Sequence, residues 1–272
     1  MKGLVLQSGR KIGADAPCFI IAEIGANHNR SLSLAKEMID AAAKAGADAV
    51  KFQIYSAEML YSRRTPRHSG YGKDLFDLIK EIETPRTWLS ELDYYCKKKN
   101  ILFFASPFDN DAVDELDEVS SLFKIASFEL VDLPFLRYCA SKGKPMIIST
   151  GLANMEEIED AYLACRDAGN DQIVFLQCAS MYPSPPSIMN LRAMETIRMA
   201  FGVPVGLSDH TKGIHISVAA AAMGASVIEK HFTMDRTMEG PDHPFAIGPD
   251  ELADLVHQIR DVEVALGDGR KL

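Results

Sequence analysis

Titratable and hydrogen-bonding side chains recur at the ends of short apolar runs in this sequence. The run ends read Glu23 with Asn27 and His28, Lys51 with Gln53, and Lys124 with Ser127 and Glu129. They continue with Ser149 and Thr150, Ser180 with Tyr182, Ser208 with Asp209 and His210, and Glu229 with His231. A strand buried on both faces does not end in charge unless that charge is paired or used. Any one of these positions is more often a polar loop cap than a functional group. Their repetition at so many run ends points to one shared rim.

Two chemistries suit these residue types. His210 and His231 close the last two runs, and neighbouring strands bring two imidazoles close enough to share a divalent metal. Two neutral histidines leave positions open for water and substrate, which a Lewis-acid site requires. Lone histidines are more often hydrogen-bonded structural groups, and His28, His215 and His243 compete as ligands, His215 least because it falls inside an expected helix. Such a pair suits manganese, cobalt, zinc or iron(II) alike. Lys51, Lys124 and Lys230, with Ser127, Ser149 and Ser208, form a candidate phosphate site: lysine supplies a point charge, and hydroxyls and helix-start N–H groups supply donors. The turn Ser149-Thr150-Gly151 before a helix fits this, although such turns are common. Lys230 has an alternative, pointing outward to pair with a helix. A barrel lysine could also form a Schiff base, so the phosphate role is not unique.

The elements that would position these groups alternate regularly. Eight short runs rich in Val, Ile and Phe read as strands buried on both faces: Phe19–Gly25, Ala49–Ile54, Ile101–Ser106, Leu122–Ser127, Pro145–Thr150, Ile173–Cys178, Val203–Ser208 and Ser226–Phe232. Between them, Ser31–Ala45 has apolar residues at the spacing of one helix face, and Thr84-Pro85 reads as an N-cap and first turn. Further helices are expected over Asp109–Val119, Leu133–Lys142, Met155–Ala168, Leu191–Ala200, Ile214–Met223 and Pro249–Val264. Strict alternation predicts a parallel sheet, and eight units in 272 residues predict its closure into a single-domain (β/α)₈ TIM barrel, usually about 250 residues long, over residues 1–272. An open doubly wound sheet ranks below it. The connection Tyr55–Glu83 is long and carries Arg63, Arg64, Arg67, His68 and Tyr71, with a short helix expected at Lys73–Glu81. Long loops at the active end of a barrel usually have a function.

Composition removes other classes. A net charge of −9 offers no global basic field for nucleic acid or an anionic membrane, so an anionic substrate needs locally placed cations. The five cysteines are scattered without a CxxC pair, which fits a reducing cytoplasm better than a disulfide or zinc framework. The opening residues lack a signal peptide's apolar core, and no apolar run is long enough to span a membrane.

Taken together, several of these segments resemble the sialic acid synthase family. The segments are Ile21-Ala22-Glu23-Ile24-Gly25-Ala26-Asn27-His28-Asn29, Lys51-Phe52-Gln53, Lys124-Ile125-Ala126-Ser127-Phe128-Glu129 and Ser149-Thr150-Gly151. The series runs on through Gln177 to Pro183, Gly206 to His210, Glu229 to Thr233 and Gly240 to His243, in order over nearly the whole chain. The resemblance implies condensation of phosphoenolpyruvate with N-acetylmannosamine or a related amino sugar to a nine-carbon keto acid, with release of phosphate. It implies a divalent metal on His210 and His231, commonly manganese, with magnesium or cobalt as alternatives. It implies that Lys124, Ser127, Ser149, Ser180 and Ser208 hold phosphoenolpyruvate, and that Glu23, Lys51, Gln53, Glu129, Tyr182 and Asp242 line the sugar side. Glu23 or Glu129 is the expected proton-transfer group. Members tend to be homodimers. Typical members also carry a C-terminal antifreeze-like domain that lends an arginine to the sugar site across the dimer. This sequence stops at Leu272 before such a domain, and Arg63–Arg67 is the candidate substitute. A Schiff-base aldolase using Lys51 or Lys124, and a non-catalytic sugar-binding barrel, are the alternatives.

Overall fold

A computed structural model of the chain describes residues 3–65 and 74–271. Eight parallel strands close into a barrel, so the doubly wound alternative is excluded. They are β1 Phe19–Gly25, β2 Ala49–Ile54, β3 Leu102–Pro107, β4 Phe123–Ile125, β5 Met146–Ser149, β6 Ile173–Cys178, β7 Val205–Asp209 and β8 Val227–His231. Each pairs with its sequence neighbours, and β8 pairs back onto β1. The surrounding helices are α1 Leu32–Ala45, α2 Leu89–Lys98, α3 Asn110–Val119, α4 Leu133–Ser141, α5 Met155–Asp167, α6 Ala193–Phe201, α7 His215–Ala222 and α8 Pro249–Leu266.

Local chemistry explains where these elements start. Ser31 caps α1 by accepting from the Leu34 N–H, and Gly46 ends the helix at φ 86°, a left-handed conformation that glycine adopts without steric cost. Asn154 and Glu157 form a reciprocal capping box at the start of α5, which fixes the turn after Ser149. Thr84 is not the cap expected of it. A 3₁₀ turn at Arg86–Trp88 precedes α2, and the buried Thr84 hydroxyl bonds His28 instead. The long connection holds helices at Ala57–Leu60 and Leu75–Ile82, the second close to the expected short helix. Arg67, His68 and Tyr71 lie outside the described residues.

Side chains alternate between the two faces of each strand. Outward-facing residues such as Ile20, Val50, Phe103 and Phe175 pack with the helices into one large core. Inward-facing residues form a second core of Phe19, Ile21, Ala49, Phe104, Ile147, Val174 and Val227. That inner core fills the lower barrel and is closed beneath by a small antiparallel hairpin, Leu4–Val5 with Lys11–Ile12, through Leu4, Leu6 and Ile12. The N-terminal end is therefore plugged, and the inward positions above the apolar layer are polar. Among the described residues no helix is long and apolar enough to cross a membrane.

Candidate active site

The same period of two that places Ile21, Ala49 and Val227 inside the barrel places Glu23, Lys51 and Glu229 above them. The Lys51 ammonium lies 2.8 Å from Glu23 Oε1 and 3.7 Å from Glu229 Oε2, and it donates to Ser106 Oγ at 3.3 Å. Lys124 lies 3.8 Å from Glu229 Oε1 and donates to Ser149 Oγ at 2.7 Å and to the Ile125 carbonyl at 2.9 Å. Ser208 donates to Glu229 Oε1 at 2.9 Å, and Gln53 donates to Glu23 Oε1 at 2.9 Å. Two lysines and two glutamates therefore form one buried network across β1, β2, β4 and β8.

Burial and neighbouring charge set the protonation of this network. Burial, together with the Glu229 charge, pushes the Glu23 carboxyl up to about 7 against the pull of Lys51. Burial acts the same way on Glu229, but Lys124, Lys51 and the Ser208 bond outweigh it and hold that carboxyl low. Burial lowers Lys124, whereas Glu229 and Glu23 outweigh burial at Lys51 and hold it high. Asp242 is raised to about 6 by burial, and Glu129 is raised for the same reason.

His210 and His231 stand above this network with ring centroids 5.4 Å apart. His210 Nδ1 is 2.9 Å from the Ala179 carbonyl, which can only accept, so Nδ1 carries the proton and Nε2 keeps its lone pair in the neutral ring. Burial lowers both imidazoles, His231 strongly, with the neighbouring cations acting in the same direction. His231 Nδ1 is buried without a hydrogen bond and lies 3.5 Å from Asp242 Oδ2. A neutral imidazole whose second nitrogen donates to a carbonyl, beside one with an orphaned nitrogen, is a donor set suited to a divalent ion. Among the described residues no group of three or more His, Cys, Asp or Glu side chains could hold a metal, so water or substrate would complete the coordination. The Tyr182 ring packs against His210 at 4.3 Å between centroids.

Two of the competing histidines are occupied, and the third, His215, lies exposed at the start of α7 as its expected helix placed it. His28 accepts from the Arg30 N–H at 3.0 Å, and its other nitrogen is 2.8 Å from the Thr84 hydroxyl. His243 bonds Thr233 at 2.7 Å and Asn29 at 3.2 Å. Lys230 is not part of the candidate phosphate site. It faces outward and pairs with Asp209 at 2.9 Å, because its chain neighbours Glu229 and His231 take the inward positions.

Hydroxyls converge beside Lys124. Ser127 Oγ accepts from the Gly151 N–H at 3.0 Å, and Ser180 Oγ is buried without a partner. A Cβ on Gly151 would collide with Ser180 Oγ and come within 2.9 Å of Ser127 Oγ and 3.0 Å of Cys178 Sγ. Across the mouth Gly25, at φ 53°, lies where Glu23, Gln53 and Asp242 meet, and a Cβ there would be 3.2 Å from Glu23 Oε1. Glu23 Oε2, Glu229 Oε2 and Glu129 Oε2 are also buried without hydrogen bonds, a concentration that marks a place shaped for a ligand. Lys124 has satisfied two of its three donors within the protein. A cavity of about 660 Å³ lined by Gly151, Cys178, Ser180 and Arg192 adjoins the serines. A larger one, about 890 Å³, lies at the plugged end by Arg10, Asp48 and Lys144, away from these residues.

Sequence reasoning set Glu229 at the rim and Gly151 in the turn beside the candidate phosphate site without a task of their own, and gave Gly25 and Cys178 none. Glu229 was legible, since it shares a strand face with Val227 and His231. The glycines depend on atoms from other strands and carry no local signal. In the Arg63–Arg67 segment expected as the substitute for the sugar-site arginine, Arg63 lies over the Phe76 ring at 4.1 Å.

A closed parallel barrel with titratable groups gathered at the C-terminal ends of its strands is the architecture of a (β/α)₈ enzyme. The model of the NeuB family matches residues 38–271, and the chain belongs to that family. It is 44% identical over 261 residues to the N,N'-diacetyllegionaminic acid synthase of Campylobacter jejuni, covering 93% of this chain and 78% of that protein. It is 41% identical over 276 residues to the N-acetylneuraminate-9-phosphate synthase of Homo sapiens, covering 98% and 76%. The crystal structure of the N-acetylneuraminic acid synthetase of Leptospira borgpetersenii superposes with a TM-score of 0.92 at 38% identity, covering 100% of this chain and 92% of that one.

Two predictions arise from the geometry. Gly151→Ala places a methyl among the serine hydroxyls and should weaken inorganic phosphate binding tenfold or more, about 1.4 kcal/mol, by calorimetry; unchanged affinity would show that the serines do not act together. Glu23, with its folded value raised to about 7 against an ordinary 4.5, holds its proton more tightly when folded. Its contribution to stability is therefore present at low pH and lost as pH rises through 7. Urea unfolding of Glu23→Gln against the parent should favour the variant by about 2 kcal/mol more at pH 8 than at pH 5, and a pH-independent difference would contradict the shift.

Proposed function

We propose that this chain condenses phosphoenolpyruvate with an amino-sugar aldehyde, N-acetylmannosamine or a close analogue, to give a nine-carbon sialic-acid-like keto acid and phosphate. The observation that carries this reading is the pairing of two neutral imidazoles with a buried lysine–serine cradle at one mouth of the barrel. The family supports it, and relatives named as legionaminic acid and N-acetylneuraminate-9-phosphate synthases make a modified acyl or phosphorylated acceptor an equal candidate. Lys124, Ser127, Ser149, Ser180 and Ser208 bind phosphoenolpyruvate in this reading, and Lys51, Gln53, Tyr182 and Asp242 orient the sugar. His210 and His231 hold a divalent ion, manganese by preference with magnesium or cobalt as alternatives, and when bound it polarises the acceptor carbonyl.

The protein groups then have definite tasks. Lys124 and the serines fix the phosphate so that the methylene carbon faces the aldehyde within reacting distance. As the carbon–carbon bond forms, positive charge develops at the enol-ether carbon. Glu23 and Glu229 lie in the same low-dielectric pocket and stabilise that charge. Glu23, poised near neutrality, or Glu129 moves the proton as the aldehyde oxygen becomes a hydroxyl and water adds to the former enol carbon. The resulting tetrahedral centre expels phosphate by carbon–oxygen cleavage. Five free, buried cysteines suit a cytoplasmic setting, and a homodimer is the assembly proposed for it.

Phosphate release from phosphoenolpyruvate should require both an acceptor sugar and a divalent metal, stop with chelator, and fall at least a hundredfold in His210→Asn. No release with any C4–C6 aldose or amino sugar would contradict the reading. Trapping of pyruvate by borohydride with indifference to chelator would replace it with a Schiff-base aldolase.

A further inference from the structure

His210 and His231 leave the barrel from neighbouring strands, and the residues flanking them on the outer face are joined to one another. Paired positions along β7 and β8 alternate in direction. Ser208 meets Glu229 inside, and the next pair, Asp209 with Lys230, meets outside beneath α7. Lys230 Nζ donates to Asp209 Oδ2 at 2.9 Å and to the Thr211 carbonyl at 2.5 Å. The Thr211 N–H donates to Asp209 Oδ1 at 2.8 Å, and Ser217 of α7 donates to Asp209 Oδ2 at 2.6 Å. The Lys230 and Asp209 side chains are 2% and 0% exposed. The backbone on both sides of His210 is thus tied to the residue that precedes His231.

We infer that Lys230 and Asp209 act as a clamp that sets the separation and aim of the two imidazoles, with Lys230 a positioning residue for the metal pair. The inference rests on reading His210 and His231 as metal ligands. A fully buried ion pair can usually be exchanged for apolar residues of similar volume without loss of stability, so stability alone does not account for one at this place. A site with only two protein ligands draws its affinity from having them prearranged, and outer supports of metal ligands typically change affinity ten- to a hundredfold. His231 Nδ1 has no hydrogen bond of its own, so its ring is set by its strand, by Phe245 packed edge-on at 5.0 Å, by Asp242 at 3.5 Å and by this clamp.

The test is manganese affinity, read as free manganese by electron paramagnetic resonance, with melting curves and inorganic phosphate affinity for each variant. The parent should bind manganese, and His210→Asn should not. The double variant Lys230→Met with Asp209→Leu, which also leaves Thr211 and Ser217 short of partners, should melt below the parent yet stay folded, bind phosphate as the parent does, and bind manganese ten- to a hundredfold more weakly. A folded double variant with the parent's manganese affinity overturns the clamp while leaving the metal site standing. Binding by the parent that does not depend on His210 overturns the underlying reading instead. Lys230→Gln covers a double variant that does not fold: it can still hydrogen-bond Asp209 without charge and should lose at least threefold in manganese affinity, and an unchanged affinity overturns the clamp as well.

Discussion

Lys51 and Lys124 sit inside the upper half of a barrel whose lower half is hydrocarbon, and each faces a carboxylate there. An isolated charge so placed would lose most of its hydration without return. The network of Glu23, Lys51, Glu229 and Lys124 meets that constraint imperfectly. One carboxylate is shifted toward protonation, Lys124 is depressed, and several oxygens have no donor. An incoming phosphate can accept from the third N–H of Lys124 and from the Ser180 hydroxyl, whereas the donor-less carboxylate oxygens call for hydroxyl or N–H groups on a ligand.

The rest of the fold serves this arrangement. The hairpin at Leu4–Ile12 and the layer of Phe19, Phe104 and Ile147 close one end, so a ligand can approach the charges only from the end where the loops lie. The capping box at Asn154 and the close approach at Gly151 hold the turn after β5 against Ser127 and Ser180. The outer-face pairing of Asp209 with Lys230 braces the strands that carry the histidines. Asp209 and Lys230 lie next in sequence to the histidines they support, because neighbouring strand residues look to opposite faces.

Much of this was legible beforehand. Strands buried on both faces read as apolar runs, and β1, β2 and β6 span the residues expected of them. The run expected over Leu122–Ser127 is shorter as a strand, Phe123–Ile125, because Ser127 leaves the ladder to meet Gly151. The residue types expected at the rim do meet there. What the sequence hid depends on other strands or on short range. The two-residue strands of the hairpin are too brief for periodicity to register, and the need for glycine at 151 comes from hydroxyls in the loops after β6 and β4. Lys230 shows how finely the face is set: a shift of one residue separates the barrel interior from the outer wall.

The central claim is that two imidazoles and a lysine–serine cradle at one mouth of the barrel bind a metal and phosphoenolpyruvate side by side. A crystal structure with manganese and phosphoenolpyruvate, the ion located by its anomalous scattering, tests this most directly. The account predicts manganese bonded to both His210 and His231, with the phosphate against Lys124 and the hydroxyls of Ser127, Ser149, Ser180 and Ser208. Manganese bound elsewhere, or phosphoenolpyruvate seated away from Lys124, would contradict it.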